Sequence, residues 1–257
     1  MNASLKLLRD FMKGYSVEDF DDAENDYNSS DQQKGIKPPP LQKEITASEE
    51  NIVSLPEFNE TILKESNILR LIRNRRSRRK FNKTPLSIQE ISYLLWATQG
   101  VRRLEKNGVW SLRNVPSAGA RHPYETYLIV NLVNGLDKGK YRYLPLTHEL
   151  VFLSNEQDIG EKVYLASYRE KFVADAPVCF IWSCLPYRGE WRYNSKAHKS
   201  MLLDAGHICQ NLYLATESIG CGACSIGGYY QRGFDDLLEL DGVDEFTVYL
   251  AAVGKIE

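Results

Sequence analysis

RNRRSRRKF, residues 73–81, sets six cations within nine positions of a chain that otherwise shows no positive surplus. The 257 residues carry 32 Lys+Arg against 34 Asp+Glu, a formal net charge of −2. A nucleic-acid surface would spread basic and aromatic residues over a face and tilt the whole charge positive. Here the cations are confined to one short segment. Guanidinium forks pair bidentately with phosphate oxygens, and a serine hydroxyl among them adds a donor. Arginines with a serine among them therefore suit a phosphate.

Upstream of the cluster, Ile62, Leu63, Ile68, Leu69, Leu71 and Ile72 recur at roughly helical spacing. Downstream, Ser87 and Glu90 form a capping box behind Pro85, and Ile88, Ile91, Leu94 and Leu95 give that helix an apolar face ending near Gly100. Residues 124–132, 140–144 and 149–153 read as strands, separated by turn signals at Asn134-Gly135 and Pro145. A helix is expected over 158–168 and a buried strand over 176–184. The longest helical pattern runs from 196 to 219, closed by Gly220 and Gly222. A short helix over 234–240 and a strand over 246–253 follow. Helices intermingle with hairpins and no internal repeat is present, which points to an α+β fold with a mixed sheet.

Residues 1–60 differ in character. Residues 16–26 are acidic, and KPPPLQK, residues 37–43, must be extended because successive prolines forbid helix. The segment is expected to be an extended arm, either loosely packed or wrapping a partner subunit through side chains such as Phe11, Phe20, Tyr27, Leu41 and Leu55. Residues 61–257 form the globular unit.

Several chemistries lose support. No run approaches the roughly 18 apolar residues of a membrane helix, and MNASLKLLRDF lacks the pattern of a secretory signal. Five cysteines, odd in number and scattered, make no disulfide framework, so a cytoplasmic setting is expected. The four histidines have no metal-ligand spacing. Cys221 and Cys224 have the CxxC interval without a second pair for zinc, and a glycine turn packed with small residues accounts for them better than a redox dithiol. Neither a nucleophile elbow nor a P-loop occurs. What remains is two runs of small residues, Pro116-Ser117-Ala118-Gly119-Ala120 and Cys224-Ser225-Ile226-Gly227-Gly228-Tyr229. Their backbone amides are free to approach something flat with polar edges.

Taken with the basic cluster, these runs carry a resemblance. Arg75-Arg76-Ser77-x-Arg79-x-Phe81 resembles the segment that opens the nitroreductase family of flavoproteins. PSAGARHPYE (116–125), LDAGHICQNL (203–212) and GKYRYLPLTHELVFL (139–153) resemble, in order, three segments of its SagB-type branch, the thiazole/oxazole-forming dehydrogenases. The resemblance implies a mostly antiparallel sheet flanked by helices and an intertwined homodimer about a long central helix, with FMN at the subunit interface. By resemblance Arg75, Arg76, Ser77 and Arg79 hold the FMN phosphate and ribityl chain, which leaves Arg73, Arg78 and Lys80 expected to face solvent and Phe81 to turn inward. Pro116, Ser117, Ala118 and Gly119 approach the ring from the other subunit, and Ile226, Gly227 and Gly228 offer amides near the flavin N5. Lys255 answers to the basic residue that family members place after the last strand. The implied activity is ping-pong transfer from NAD(P)H to a small electrophile such as a nitroaromatic, quinone or enone, without nucleic acid or membrane as partner. The alternative is an azoline dehydrogenase working with peptide-modifying partners. Such enzymes resemble one another in a Lys-Tyr pair before the central helix. Here the pair reads Arg192-Tyr193, and an arginine cannot serve as a general base. Tyr193 either donates a proton to substrate or packs.

Overall fold

The structure, a computed structural model, describes residues 3–13, 20–45, 48–106 and 108–257. The first sixty residues are not extended throughout. They hold α1 (Ala3–Lys13), α2 (Phe20–Asn28) and β1 (Ile52–Ser54), while positions 1–2, 14–19 and 46–47 lie outside the described residues. The proline-rich stretch after α2 is extended and lies on its own chain. Trp191 Nε1 donates to Ile36 O (2.9 Å), Arg113 Nη2 to Leu41 O (2.9 Å), and the Lys43 amide to Glu125 Oε1 (2.9 Å).

The helical run expected over 62–72 divides. A 3-10 turn covers Glu60–Ile62; α3 (Ile68–Asn74) then starts where the Asn67 side chain accepts from the Leu69 and Arg70 amides. β2 (Leu86–Ser87) leads into α4 (Ile88–Gln99), opened by the complete Ser87/Glu90 capping box. A hairpin of β3 (Val101–Glu105) and β4 (Trp110–Arg113) follows, which its charged sequence conceals. Then come β5 (Tyr124–Val130), β6 (Val133–Asn134), β7 (Gly139–Leu144), β8 (Glu149–Ser154), α5 (Ile159–Ala166), α6 (Lys171–Ala174) and β9 (Val178–Cys184). The chain finishes with α7 (Tyr187–Tyr193), α8 (Ala197–Ser218), β10 (Cys221–Ile226), α9 (Gln231–Leu238) and β11 (Phe246–Lys255).

Seven strands form one sheet in the order β1-β8-β7-β5-β9-β11-β10, and every neighbouring pair is antiparallel. The parallel component is small, a two-residue ladder between β2 and β6. Period-two alternation splits the sheet into two faces. Tyr124, Leu128, Phe180 and Trp182 join the cluster shared with α4 and α8; Tyr127, Ile129, Cys179 and Ile181 pack towards α5, α6 and α9. Each fully buried Leu or Phe in these clusters contributes about 1.5–3 kcal/mol.

Residues 221–226, expected as a turn, form an edge strand instead. Cys221 and Cys224 are free, buried thiols within it, and positions i and i+3 of a strand point to opposite faces. Burial pushes the Cys221 thiol up to about 12. A dithiol is therefore ruled out by the strand itself.

Candidate active site

The basic cluster leaves α3 and runs beside β10. Ser77 bridges to Ala223, and the Arg78 amide donates to Ala223 O (2.8 Å). This close approach needs Gly222, because a Cβ there would lie 2.4 Å from Arg78 Cγ. The cluster thus has a fixed backbone, with side chains fanned to either side. Arg78 is not solvent-facing as expected: its Nε sits 3.3 Å from Glu217 Oε1 on α8, and its side chain covers Gly222. Arg75, Arg76 and Arg79 have no carboxylate within salt-bridge distance among the described residues. Arg75 lies over the Tyr213 ring (5.2 Å to the centroid), and Arg79 over Phe172 (5.7 Å). Cation–π contacts of this kind orient a guanidinium without neutralising it.

Tyr213, from α8, is the hub beneath. Its hydroxyl lies 3.1 Å from Ser77 Oγ and 3.1 Å from Ser225 Oγ, and accepts from the Ser225 amide (2.9 Å). Tyr249 Oη donates to Ser225 Oγ (2.8 Å), and burial raises the Tyr249 phenol. One hydroxyl network therefore joins the cluster to the mouth of the 226–228 loop. Gly227 and Gly228 are exposed; a Cβ on Gly228 would meet nothing within 4 Å. Arg76, Ser77, Arg79, Asn82 and the terminal Ile256 and Glu257 line a cavity of about 390 Å³. Lys255 does not turn towards the arginines: its ammonium pairs with Glu90 of the α4 capping box. Phe81 turns inward, packed where a Cβ on Gly254 would touch its ring.

The second run of small residues sits elsewhere on α8. Ser117 Oγ donates to Asp204 Oδ2 (2.6 Å), the Ala118 amide points to the same carboxylate (3.3 Å), and the His122 amide donates back to Ser117 Oγ (2.9 Å). Burial raises the Asp204 carboxyl, against the pull of the Ser117 bond. Gly119 adopts φ +58, and a Cβ there would fall 2.6 Å from Tyr193 Oη. So Tyr193 touches the 117–119 loop, with Arg192 over its ring at 5.2 Å. Nine residues separate Asp204 from Tyr213, about 13 Å along the helix. Within one chain, the two runs are held at two stations on α8 and do not meet.

The sequence model described as "Nitroreductase family" matches residues 72–255. The chain belongs to the nitroreductase family. A Methanocaldococcus jannaschii protein named as a nitroreductase is 31% identical over 203 residues, 79% of this chain and 96% of that protein. A trifolitoxin-processing protein of Rhizobium leguminosarum bv. trifolii is 30% identical over 147 residues, 56% of this chain and 39% of its own length. A solved Ralstonia eutropha chain named as a nitroreductase superposes with a TM-score of 0.65 at 24% identity, covering 85% of this chain and 96% of its own. That likeness establishes a nitroreductase-like α+β fold.

Two residues central to this candidate site escaped the sequence reading. Asp204 lies inside the LDAGH segment, where nothing local distinguishes a loop-holding carboxylate from a solvated one. Tyr213 follows the Gln-Asn-Leu of the same segment and reads as one more apolar position of the helix. Among the described residues, no cluster of His, Cys, Asp and Glu is placed to hold a metal ion, and no helix is long and apolar enough to cross a membrane.

Proposed function

We propose that the protein is an FMN-dependent oxidoreductase that takes electrons from NAD(P)H and delivers them to a small electrophile, a nitroaromatic, quinone or enone. One observation carries the reading. Among the described residues Arg75, Arg76 and Arg79 have no carboxylate partner, yet the Ser77–Arg78 backbone is fixed to β10 beside an open glycine loop. A structural ion-pair network would pair its cations; a preorganised anion site leaves them available. The residues present fit a flavin phosphate and a flat polar ring.

Bound FMN would supply two-electron chemistry, the protein contributing binding, orientation and polarity. In this reading Arg76 and Arg79 receive the phosphate, Arg75 stays on Tyr213, and Ser77 offers its hydroxyl. The Ile226, Gly227 and Gly228 amides donate to the ring edge. The Pro116–Gly119 run (116–119) and Tyr193 come from the second subunit of a homodimer, across the exposed face of α8. Lys255, bound to Glu90, is left out of the cradle.

The purified protein is expected to be yellow, with flavin absorbance lost in the Arg75→Ala/Arg79→Ala double variant. Stopped-flow oxidation of the reduced protein across a panel of acceptors then identifies the electrophile class. Colourless protein that FMN cannot reconstitute overturns the reading.

A second reading, azoline oxidation in a peptide, is favoured by the trifolitoxin-processing relative. It requires a base to remove a proton, and Arg192 stays protonated at any working pH. Thiazoline peptide incubated with the protein decides between the two: a mass loss of two hydrogens without NAD(P)H makes azoline oxidation the activity.

A further inference from the structure

The sheet face turned away from α8 is covered in two ways. Over Ile129, Cys179 and Ile181 it is roofed by α5, α6 and α9. Over Tyr127 and Arg142, directly paired in register across β5 and β7, the roof is the extended strap around Pro39–Glu44 (39–44). Beneath that strap lies a cavity of about 950 Å³, with Phe152, Leu153, Leu185 and Leu238 among its walls. This is the upper end of the range for small-molecule sites.

Arg142 stands out among the cations there. Lys43 pairs with Glu245 (2.6 Å), Lys140 with Glu239 (2.7 Å) and Arg188 with Glu125 (2.5 Å). Arg142 is 5% exposed, and no described carboxylate lies within salt-bridge distance of it. Its Nη2 donates to the Glu44 carbonyl on the strap (2.7 Å), and its buried Nε has no partner among the described residues. An uncompensated buried guanidinium is costly, and an apolar side chain of similar volume would pack the same place at less cost. A carboxylate received by the fork removes that cost. Glu44, Glu239 and Asp244 also line the cavity, so the surroundings favour a single negative charge over a dianion such as phosphate.

We propose that this cavity is a binding site for a monocarboxylate with an apolar body, and that Arg142 receives its carboxylate. The site lies on the opposite sheet face from Tyr213 and does not depend on the flavin reading. A free organic acid and the C-terminus of a peptide share this chemistry.

The test is calorimetric titration of the full chain with two matched pairs of probes. The first is 3-phenylpropionate and its amide; the second is Gly-Gly-Phe with a free or amidated C-terminus. At least one acid is expected to bind ten times or more tighter than its amide. Binding confined to one pair identifies free acid or peptide as the source. Arg142→Gln is expected to abolish the acid-over-amide preference and Arg142→Lys to keep part of it, both with unchanged flavin absorbance. Should Arg142→Gln not fold, Leu153→Trp narrows the cavity without touching the guanidinium and is expected to weaken the acid by tenfold or more. Equal binding of acid and amide, absence of binding by either acid, or acid binding indifferent to these variants overturns the proposal.

Discussion

Tyr213 shows how a single hydroxyl fixes a backbone whose charges attract all the notice. It joins Ser77, Ser225 and the Ser225 amide, while its ring carries Arg75. Tyr213→Phe keeps the ring and strands those donors, at a cost of about 1–3 kcal/mol. The apoprotein is therefore expected to bind FMN roughly tenfold more weakly, read by flavin fluorescence titration. His122 makes a different residue-scale prediction. It is 4% exposed, and burial, with Arg113 nearby, holds its imidazole down at about 2. The unfolded chain takes up that proton near its ordinary value while the folded chain refuses it. The stabilisation is complete above about pH 6.5 and falls as pH drops, by about 1.4 kcal/mol per unit. His122→Asn, suited to the φ of +44 at this position, removes that slope. Urea midpoints for both proteins at about pH 7, 6 and 5 measure it. None of this was legible in the sequence, because burial and a tyrosine's partners are set by remote chain. The confinement of six cations to 73–81 was legible, because it is written in consecutive residues. Even there Arg78 was misassigned: its partner, Glu217, lies 139 residues away.

At the scale of elements, local signals served well where the chain writes its own rule. The α4 capping box and the long α8 were readable from spacing, as were the hairpin strands β7 and β8. β10 was not. Its Cys-Gly-Ala-Cys-Ser reads as a turn by composition, yet tertiary pairing with β11 over six residues overrides that preference. The small residues are there because the basic cluster lies against the strand. Gly222→Ala tests this. The new methyl would meet Arg78 at Cβ and Cγ, close to the backbone, so the side chain cannot simply swing aside. A loss of about 1–3 kcal/mol is expected from overpacking, together with displacement of Ser77 and Arg79. Both a lower unfolding midpoint and weaker FMN retention should follow. Reduced stability with full flavin content would separate β10 packing from the cradle.

Across the whole molecule, the same helix that organises the site also presents an uncovered face. Leu202, Leu203, Gly206, His207 and Gln210 form an exposed stripe along α8, and Ile68, Leu69 and Ile72 are exposed on neighbouring α3. So much apolar surface on the central helix suits a helix-to-helix interface between two copies. A two-fold axis across α8 would set one chain's Asp204 station, with Ser117–Gly119 (117–119) and Tyr193, beside the other's Tyr213 station with its arginines. Within one chain the two stations stay about 13 Å apart along the helix. Leu203→Arg tests the arrangement, since Leu203 is 57% exposed in the single chain and its replacement leaves both core clusters intact. The variant is expected to run as a folded monomer by light scattering, with an unchanged far-ultraviolet spectrum and little bound flavin. Retention of the dimer, or a monomer that keeps its flavin, would place the second half of the site within one chain and remove the reason for the stripe.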